Sequence, residues 1–392
     1  MTSRRTRFFS SGALLVATLA LAGILSADTA HDTALPRPIA LGTSGGNIND
    51  SNAFSCCGGT LGSLVTDGAS QFILSNNHVF ARSNKGSVGD GIIQPGLIDE
   101  SPVCAANSAD VVANLSAWAP LQFRNPSNPQ ATNTVDAAIA QVVPDKVQSD
   151  GSILGIGTIS STPVAAEIGM GVQKSGRTTG LTSGAVAAVS VTVQVRYGGC
   201  GSGRGLAMFT DQIRITPGGF SAGGDSGSLI VDDSTPPRAV GLLFAGSDSD
   251  TIANPIQSVL AALGVNMVGT GSSSGRAPFM RWLGSVLGWP AAAHAAGGGA
   301  RSVDPAWLAA AREVKQRHEG AMMQIPGVVG LGVGAADGAP GVAAIEVYVE
   351  RDTPALRRAI GTQLEGIPVK VVETGEITAR AGTCFTRPSA EP

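Results

Sequence analysis

The stretch Gly219-Phe220-Ser221-Ala222-Gly223-Gly224-Asp225-Ser226-Gly227-Ser228 decides the reading of this chain. It sets a serine between glycines and an aspartate, directly before the apolar run Leu229-Ile230-Val231. Glycine lets the backbone turn sharply and brings N–H groups close to a reacting atom. A serine in such a bend presents its hydroxyl as a nucleophile while nearby N–H groups face the oxyanion. Glycine-rich turns with a serine are common, so this one gains weight only from a histidine and a second aspartate in fitting contexts.

The chain has 4 histidines: His31, His78, His294 and His318. His31 borders an N-terminal targeting segment, His294 sits in an Ala/Gly-rich stretch and His318 on a predicted C-terminal helix. Only His78 falls within Cys56–Met267, which reads as one globular unit. It follows the apolar strand Gln71-Phe72-Ile73-Leu74-Ser75 at a polar turn, Asn76-Asn77. Asp136, in Thr134-Val135-Asp136-Ala137-Ala138-Ile139-Ala140, edges another short apolar segment. Asp110, in Ser108-Ala109-Asp110-Val111-Val112, is its rival for the same role. The order is His, Asp, Ser. An α/β-hydrolase elbow needs Gly-x-Ser-x-Gly, with its histidine after the nucleophile. Position 228 is Ser, and the later histidines lie beyond the apparent end of the unit. The plainer reading is a glycine-rich turn with an ordinary serine and a buried structural histidine.

Leu74-Ser75-Asn76-Asn77-His78-Val79, Val135-Asp136-Ala137-Ala138-Ile139 and Gly224-Asp225-Ser226-Gly227 together resemble the trypsin/chymotrypsin superfamily over residues 39–268. Lys174-Ser175-Gly176-Arg177-Thr178-Thr179-Gly180-Leu181 is similar to bacterial secreted members of the streptogrisin and α-lytic type. With Cys56-Cys57-Gly58-Gly59-Thr60-Leu61-Gly62 and Gln94-Pro95-Gly96-Leu97-Ile98, the pattern is most similar to bacterial relatives of plant NARROW LEAF 1 proteases. The resemblance implies an all-β fold of two six-stranded antiparallel β-barrels with the site between them. Short apolar runs at Phe72–Leu74, Val111–Leu115, Val186–Val195, Leu229–Val231 and Val240–Phe244, alternating with turn residues, independently predict a sandwich or barrel. A helix over Pro255–Leu263 would place Ile256, Val259 and Leu263 on one face.

The resemblance also assigns roles. Ser226 attacks a peptide carbonyl, His78 carries the proton and Asp136 fixes the imidazole tautomer. The N–H groups of Gly224 and Ser226 form the oxyanion hole. A carboxylate beside the nucleophile is buried and needs a partner, and the family pattern predicts an Arg177–Asp225 ion pair. Phe220, six residues before Ser226, would form the base of the substrate pocket, with Phe244 and Gly246 on a wall strand. No acidic residue stands at the pocket base, so the preferred residue at the cleaved bond is expected to be uncharged and apolar.

Composition bounds the rest. A net charge of -3 with 14% charged residues leaves no basic footprint for nucleic acid. No motif calls for a metal or other cofactor. Gly330-Leu331-Gly332-Val333-Gly334 lacks dinucleotide-loop spacing and reads as a strand. Arg4, Arg5 and Arg7 precede the apolar stretch from Gly12 to Leu25, with small residues at Ser26 and Ala27. That is a signal peptide over residues 1–27, followed by a disordered leader over 28–38. The run is short for an uncleaved membrane anchor, so no membrane association is expected after cleavage. The 5 cysteines fit an oxidising compartment. Cys57–Cys104 is a candidate bridge, though spacing does not fix connectivity.

Beyond Met267 the composition shifts. Residues 269–301 are a Gly/Ser/Ala-rich linker holding a short amphipathic stretch, Phe279–Trp289. Residues 302–380 read as a small α+β domain: a helix capped by Asp304 with Pro305 first and ending at Gly320, strands at Val328–Gly334 and Ala343–Val349, a helix at Pro354–Leu364 and a strand at Ile367–Val372. Residues 381–392 form a tail. The expectation is an exported serine endopeptidase acting on polypeptides. The alternative is a catalytically silent trypsin-like scaffold that binds peptides or proteins.

Overall fold

The computed structural model describes residues 31–52, 55–198, 205–271, 303–379, 382 and 385–386. The segment read as a signal peptide, Cys200, His294, the Phe279–Trp289 stretch and Cys384 lie outside the described residues.

The first barrel is built from β1 (Thr43–Asn47), β3 (Gly59–Leu61), β4 (Ser63–Thr66), β5 (Gln71–Ser75), β6 (Gly91–Ile93), β7 (Val111–Trp118) and β8 (Ala138–Val142), with β2 (Ser55–Cys56) beside it. The hydrogen-bonded order is β4-β5-β8-β7-β6-β1-β3. Only Gly62 separates β3 from β4, so they act as one bent strand and the sheet closes as a six-stranded barrel. Alternate residues point inward, and Leu61, Leu64, Ile73, Leu74 and Leu115 meet in its core.

The second barrel repeats the plan with β9 (Gly171–Gly176), β10 (Gly180–Tyr197), β11 (Gly205–Thr216), β12 (Leu229–Asp232), β13 (Ala239–Gly246) and β14 (Thr251–Pro255). The order β11-β14-β13-β12-β9-β10 closes through the β10–β11 pairing. Every barrel pairing is antiparallel, from β4–β5 and β5–β8 in the first barrel to β9–β10 and β13–β14 in the second. The all-β, two-barrel expectation is met. Helix α1 (Asn77–Phe80) is a single turn after β5, and helix α2 (Ile256–Leu263) follows β14. Ile256 and Val259 are fully buried against the first-barrel core, as the spacing predicts, while Leu263 is only partly covered. The short β15 (Asn266–Met267) returns to pair with β4.

Strand β10 is far longer than the barrel needs. Its first part pairs with β9, and beyond Ala188 the same edge would be open. An open edge is a template for wrong pairing. The C-terminal module fills it: β16 (Val328–Ala335) pairs with β10 through Ala188–Val193, and β17 (Ala343–Val349), β18 (Gln363–Leu364) and β19 (Ile367–Glu373) extend the sheet. The helix predicted from Asp304 runs as α3 (Pro305–Met322), two residues past Gly320. Asp304 accepts from the Ala306 N–H at 2.8 Å. The second helix, α4 (Pro354–Ile360), stops at Gly361, whose φ of 81° is left-handed. The module is therefore continuous with the second barrel rather than a bead on a linker. Arg214 of β11 fastens the joint, reaching Asp250 at 2.6 Å and Glu346 of β17 at 2.9 Å. Two last strands, β20 (Thr378–Ala379) and β21 (Phe385–Thr386), leave the module and pair with β13 and β2.

Two expectations are corrected. The predicted leader is not loose from His31 on. The His31 carbonyl accepts from Ser44 N–H at 2.7 Å, and Arg37 donates to Gln94 Oε1 and O at 2.6 Å each. These residues carry enough hydrogen bonds to the barrel to be part of it. Cys104 is bonded to Cys56, not Cys57. Adjacent residues on a strand point to opposite faces, and Cys56 shares a small buried cluster with Cys104, Ile93 and Leu97.

Candidate active site

The His78–Asp136 half of the site comes from the first barrel. Asn76 ends β5 in extended conformation, and the turn of α1 swings His78 toward Asp136. His78 Nδ1 lies 2.6 Å from Asp136 Oδ2, and the His78 N–H donates to Oδ1 at 3.2 Å. Asn76 Nδ2 donates to the Asp136 carbonyl at 2.7 Å, and the Asp136 N–H donates to Asn254 Oδ1 at 2.9 Å. Tyr197, at the end of β10, donates its hydroxyl to Asp136 Oδ2 at 2.7 Å. Its ring meets the imidazole edge-on, with centroids 5.8 Å apart. Burial, reinforced by the Asp136 charge, pushes the Tyr197 phenol well above its ordinary pKa. The phenol therefore stays a donor. A carboxylate accepting from Nδ1–H leaves the lone pair on Nε2. That atom is buried and has no hydrogen-bond partner among the described residues.

The Ser226 half comes from the second barrel. Gly224 and Gly227 have φ of 101° and 95°, which side-chain-bearing residues rarely adopt. A Cβ at Gly227 would sit 2.1 Å from Ser75 Oγ and 2.3 Å from the Thr60 carbonyl. The loop is thus pressed directly onto β3 and β5. The Thr60 N–H donates to the Ser226 carbonyl at 2.8 Å, and Thr60 Oγ1 donates to the Gly224 carbonyl at 3.0 Å. Between the two glycines, the N–H groups of Gly224 and Ser226 make no hydrogen bond among the described residues. The Ser226 hydroxyl donates to the Phe244 carbonyl at 3.2 Å rather than to His78.

Asp225 is fully buried and thoroughly partnered. Its Oδ1 accepts from the N–H groups of Thr178 at 2.8 Å and Thr179 at 3.2 Å. Its Oδ2 accepts from Thr179 Oγ1 at 2.7 Å and Ala222 N–H at 2.9 Å. Lys174 Nζ stands 3.7 Å away and donates to Thr179 Oγ1 and the Gly180 carbonyl. Burial lowers the Lys174 pKa to about 8 against the pull of Asp225. The sequence pattern missed this lysine. It had one signal: a charged residue inside a strand, between Gln173 and Ser175, has to find a partner.

Arg177 does not pair with Asp225, contrary to expectation. Its Nε and Nη2 grip Asp99 at 2.7 and 2.5 Å. Asp225 already has four hydrogen bonds and an ammonium, whereas Asp99 offers a two-pronged fit. Arg177 still bears on the loop, since a Cβ at Gly224 would lie 2.9 Å from its Nη1. Phe220, expected at a pocket base, is buried among Val172, Val186 and Ile215 in the second-barrel core. Phe244 is buried against Phe209, with ring centroids 4.6 Å apart, and Gly246 is paired with Thr378. Asp110 lies 3.6 Å from Arg37 rather than beside His78. Tyr197 left no trace in the motifs because it arrives from the far end of a long strand.

Residues 133–254 match the family described as the Nal1 C-terminal domain. The matched span carries Asp136, Lys174–Gly180 and Ser226, while His78 lies before it. No curated protein matches the chain. Among solved structures, one similar chain is a glutamic acid specific serine protease described as using a novel histidine triad in substrate binding. It is 22% identical over 58% of this chain and 100% of its own, with a TM-score of 0.39. Protease A of Thermobifida fusca is 19% identical over 59% and 98%, with a TM-score of 0.37. Nocardiopsis protease is 17% identical over 57% and 97%, also at 0.37.

Proposed function

We propose that this chain is an exported serine endopeptidase that hydrolyses peptide bonds through Ser226, His78 and Asp136. The observation that carries this is the 2.6 Å contact of His78 Nδ1 with a buried Asp136, which leaves a bare Nε2 acceptor. Rotation of the Ser226 hydroxyl from Phe244 toward Nε2 would arm it. Ser226 Oγ then attacks the substrate carbonyl and its proton passes to Nε2. The oxyanion forms against the unengaged N–H groups of Gly224 and Ser226. The C–N bond breaks as His78 returns the proton to the amine, and water repeats the steps to free the acyl group. Two oriented N–H donors of this kind are worth about 3 kcal/mol of barrier each.

Export is part of the same reading. The Cys56–Cys104 disulfide suits an oxidising compartment. Labelling with a fluorophosphonate probe tests the function. Wild type should label and Ser226→Ala should not. A folded wild type, with or without its C-terminal segment, that never labels at Ser226 would instead support the silent peptide-binding scaffold. The hydroxyl directed at Phe244 favours that second reading.

A further inference from the structure

Two hydroxyls hold the peptide units that lead to Ser226. A peptide unit is planar, and in its trans form the N–H points opposite to the C=O. Whatever holds the Gly223 carbonyl therefore aims the Gly224 N–H, and whatever holds the Asp225 carbonyl aims the Ser226 N–H. The Asp225 carbonyl accepts from the Ser228 hydroxyl at 2.7 Å and from the Ser228 N–H at 3.0 Å. The Gly223 carbonyl accepts from Thr178 Oγ1 at 2.6 Å, its one partner among the described residues. Thr178 lies on the turn between β9 and β10. Its hydroxyl has one proton to give, and a guanidinium can only donate. Arg177 Nη1 donates to Thr178 Oγ1 at 3.0 Å, so the threonine proton is left for the Gly223 carbonyl. The guanidinium is fixed in turn. Its Nε and Nη2 sit on Asp99, in the first-barrel turn Leu97–Asp99, and Ser44 Oγ donates to Asp99 Oδ2 at 2.5 Å. Thr178 also crowds the loop itself, since a Cβ built on Gly224 would lie 2.3 Å from its Oγ1.

We infer that Thr178 is a positioning residue of the oxyanion hole: its hydroxyl, oriented by Arg177, holds the Gly223 carbonyl and so aims the Gly224 N–H. This role presupposes Ser226 as the nucleophile. The two N–H donors are then held unequally. The peptide of Ser226 is tied twice from within the loop, by a fully buried serine. The peptide of Gly224 is tied once, by a hydroxyl on a neighbouring turn. Gly224 itself has a φ of 101°, and glycine turns readily between backbone states. If the Gly223–Gly224 peptide turned over, a carbonyl would replace an N–H where the oxyanion forms, and negative charge would meet a negative dipole end. Asp99, Arg177 and Thr178 thus make a chain from the first barrel to this one donor. The grip on Asp225 is separate, because it uses the N–H groups of Thr178 and Thr179 and the Thr179 hydroxyl.

Thr178 is exposed, so Thr178→Val removes the hydroxyl without opening a core and keeps the N–H that Asp225 accepts. On a peptide substrate kcat should fall about ten- to a hundredfold at unchanged KM, because the oxyanion forms only after the ground state. Thr178→Ser, which keeps the hydroxyl, should recover most of that loss. Arg177→Met should lower kcat in the same direction, and Thr178→Val combined with Arg177→Met should cost no more than Thr178→Val alone. A crystal structure of the Thr178→Val variant needs no turnover and should show the Gly223 carbonyl swung off position 178. Unchanged kcat, a loss confined to KM, additive losses in the double variant or an unmoved Gly223 carbonyl would each overturn the inference. A swung carbonyl in a protein whose wild type never labels with the fluorophosphonate probe would sink the protease reading and leave Thr178 as the residue that sets this peptide.

Discussion

The two barrels share a plan but hold their halves of the candidate site by different means. In the first, His78 and Asp136 are fixed by neutral side chains around one aspartate: Asn76 and Asn254 hold its backbone and Tyr197 its carboxylate. In the second, Ser226 sits on a loop shaped by two left-handed glycines and anchored by a buried charge pair. The first barrel closes on itself. The second has a strand edge that the C-terminal module covers and another that β20 occupies. The C-terminal module therefore packs on the barrel that carries Ser226, while Asp136 is held from both barrels.

The largest effect belongs to the proposed nucleophile. Ser226→Ala should lower peptide hydrolysis by on the order of 10⁴-fold or more while leaving the thermal unfolding midpoint within a few degrees. Residual hydrolysis near wild type would end the comparison by removing the second barrel's chemical role.

Next comes the charge anchor. Asp225→Ala strips a fully buried ammonium of its carboxylate and leaves the Thr178 and Thr179 N–H groups without an acceptor. Breaking one side of a buried pair typically destabilises by about 3–5 kcal/mol, and both stability and labelling at Ser226 should fall. Lys174→Met, which removes the buried charge but not the Asp225 hydrogen bonds, should be milder in chemical denaturation. If the two are equal, the lysine rather than the N–H cradle holds the loop.

A pH test compares the barrels through Asp50, which is buried near His78. Burial raises its pKa from 3.8 to about 6. The folded state therefore holds this proton more tightly than the unfolded chain does. Its contribution is present below about pH 4 and is lost as pH rises to about 6. Asp50→Asn should flatten the fall in stability across that window and raise stability at neutral pH by up to about 3 kcal/mol. An unchanged pH–stability curve would remove Asp50 from the account.

Much of this contrast was legible in the sequence, and the losses have a physical pattern. His78, Asp136 and Ser226 each sit in a local context that local chemistry demands: a turn after an apolar strand, an aspartate before one, a serine between glycines. Strand positions such as Ala343–Val349 followed from alternation with turn residues. Partners across the fold did not. Arg177 and Lys174 lie three residues apart, and which of them serves Asp225 depends on where Asp99 arrives from another loop. Phe220 looked like a pocket floor by its distance from Ser226, yet the barrel took it into its core. A sequence shows which groups need partners, but pairing at a separation of tens of residues is settled by packing.

The smallest predicted effect falls on Tyr197, where the barrels meet: the residue belongs to a second-barrel strand and serves the first-barrel carboxylate. Tyr197→Phe keeps the ring against His78 and removes one hydrogen bond to Asp136, worth about 1–2 kcal/mol as a bond to a charged group. That donor fixes the carboxylate that orients the imidazole, so kcat should fall about five- to tenfold with KM unchanged, while unfolding free energy drops by no more than about 2 kcal/mol. Wild-type kcat with only a lowered unfolding midpoint would give the hydroxyl a purely structural role. A fall in kcat at unchanged KM marks it as a positioning group that ties the second barrel to His78.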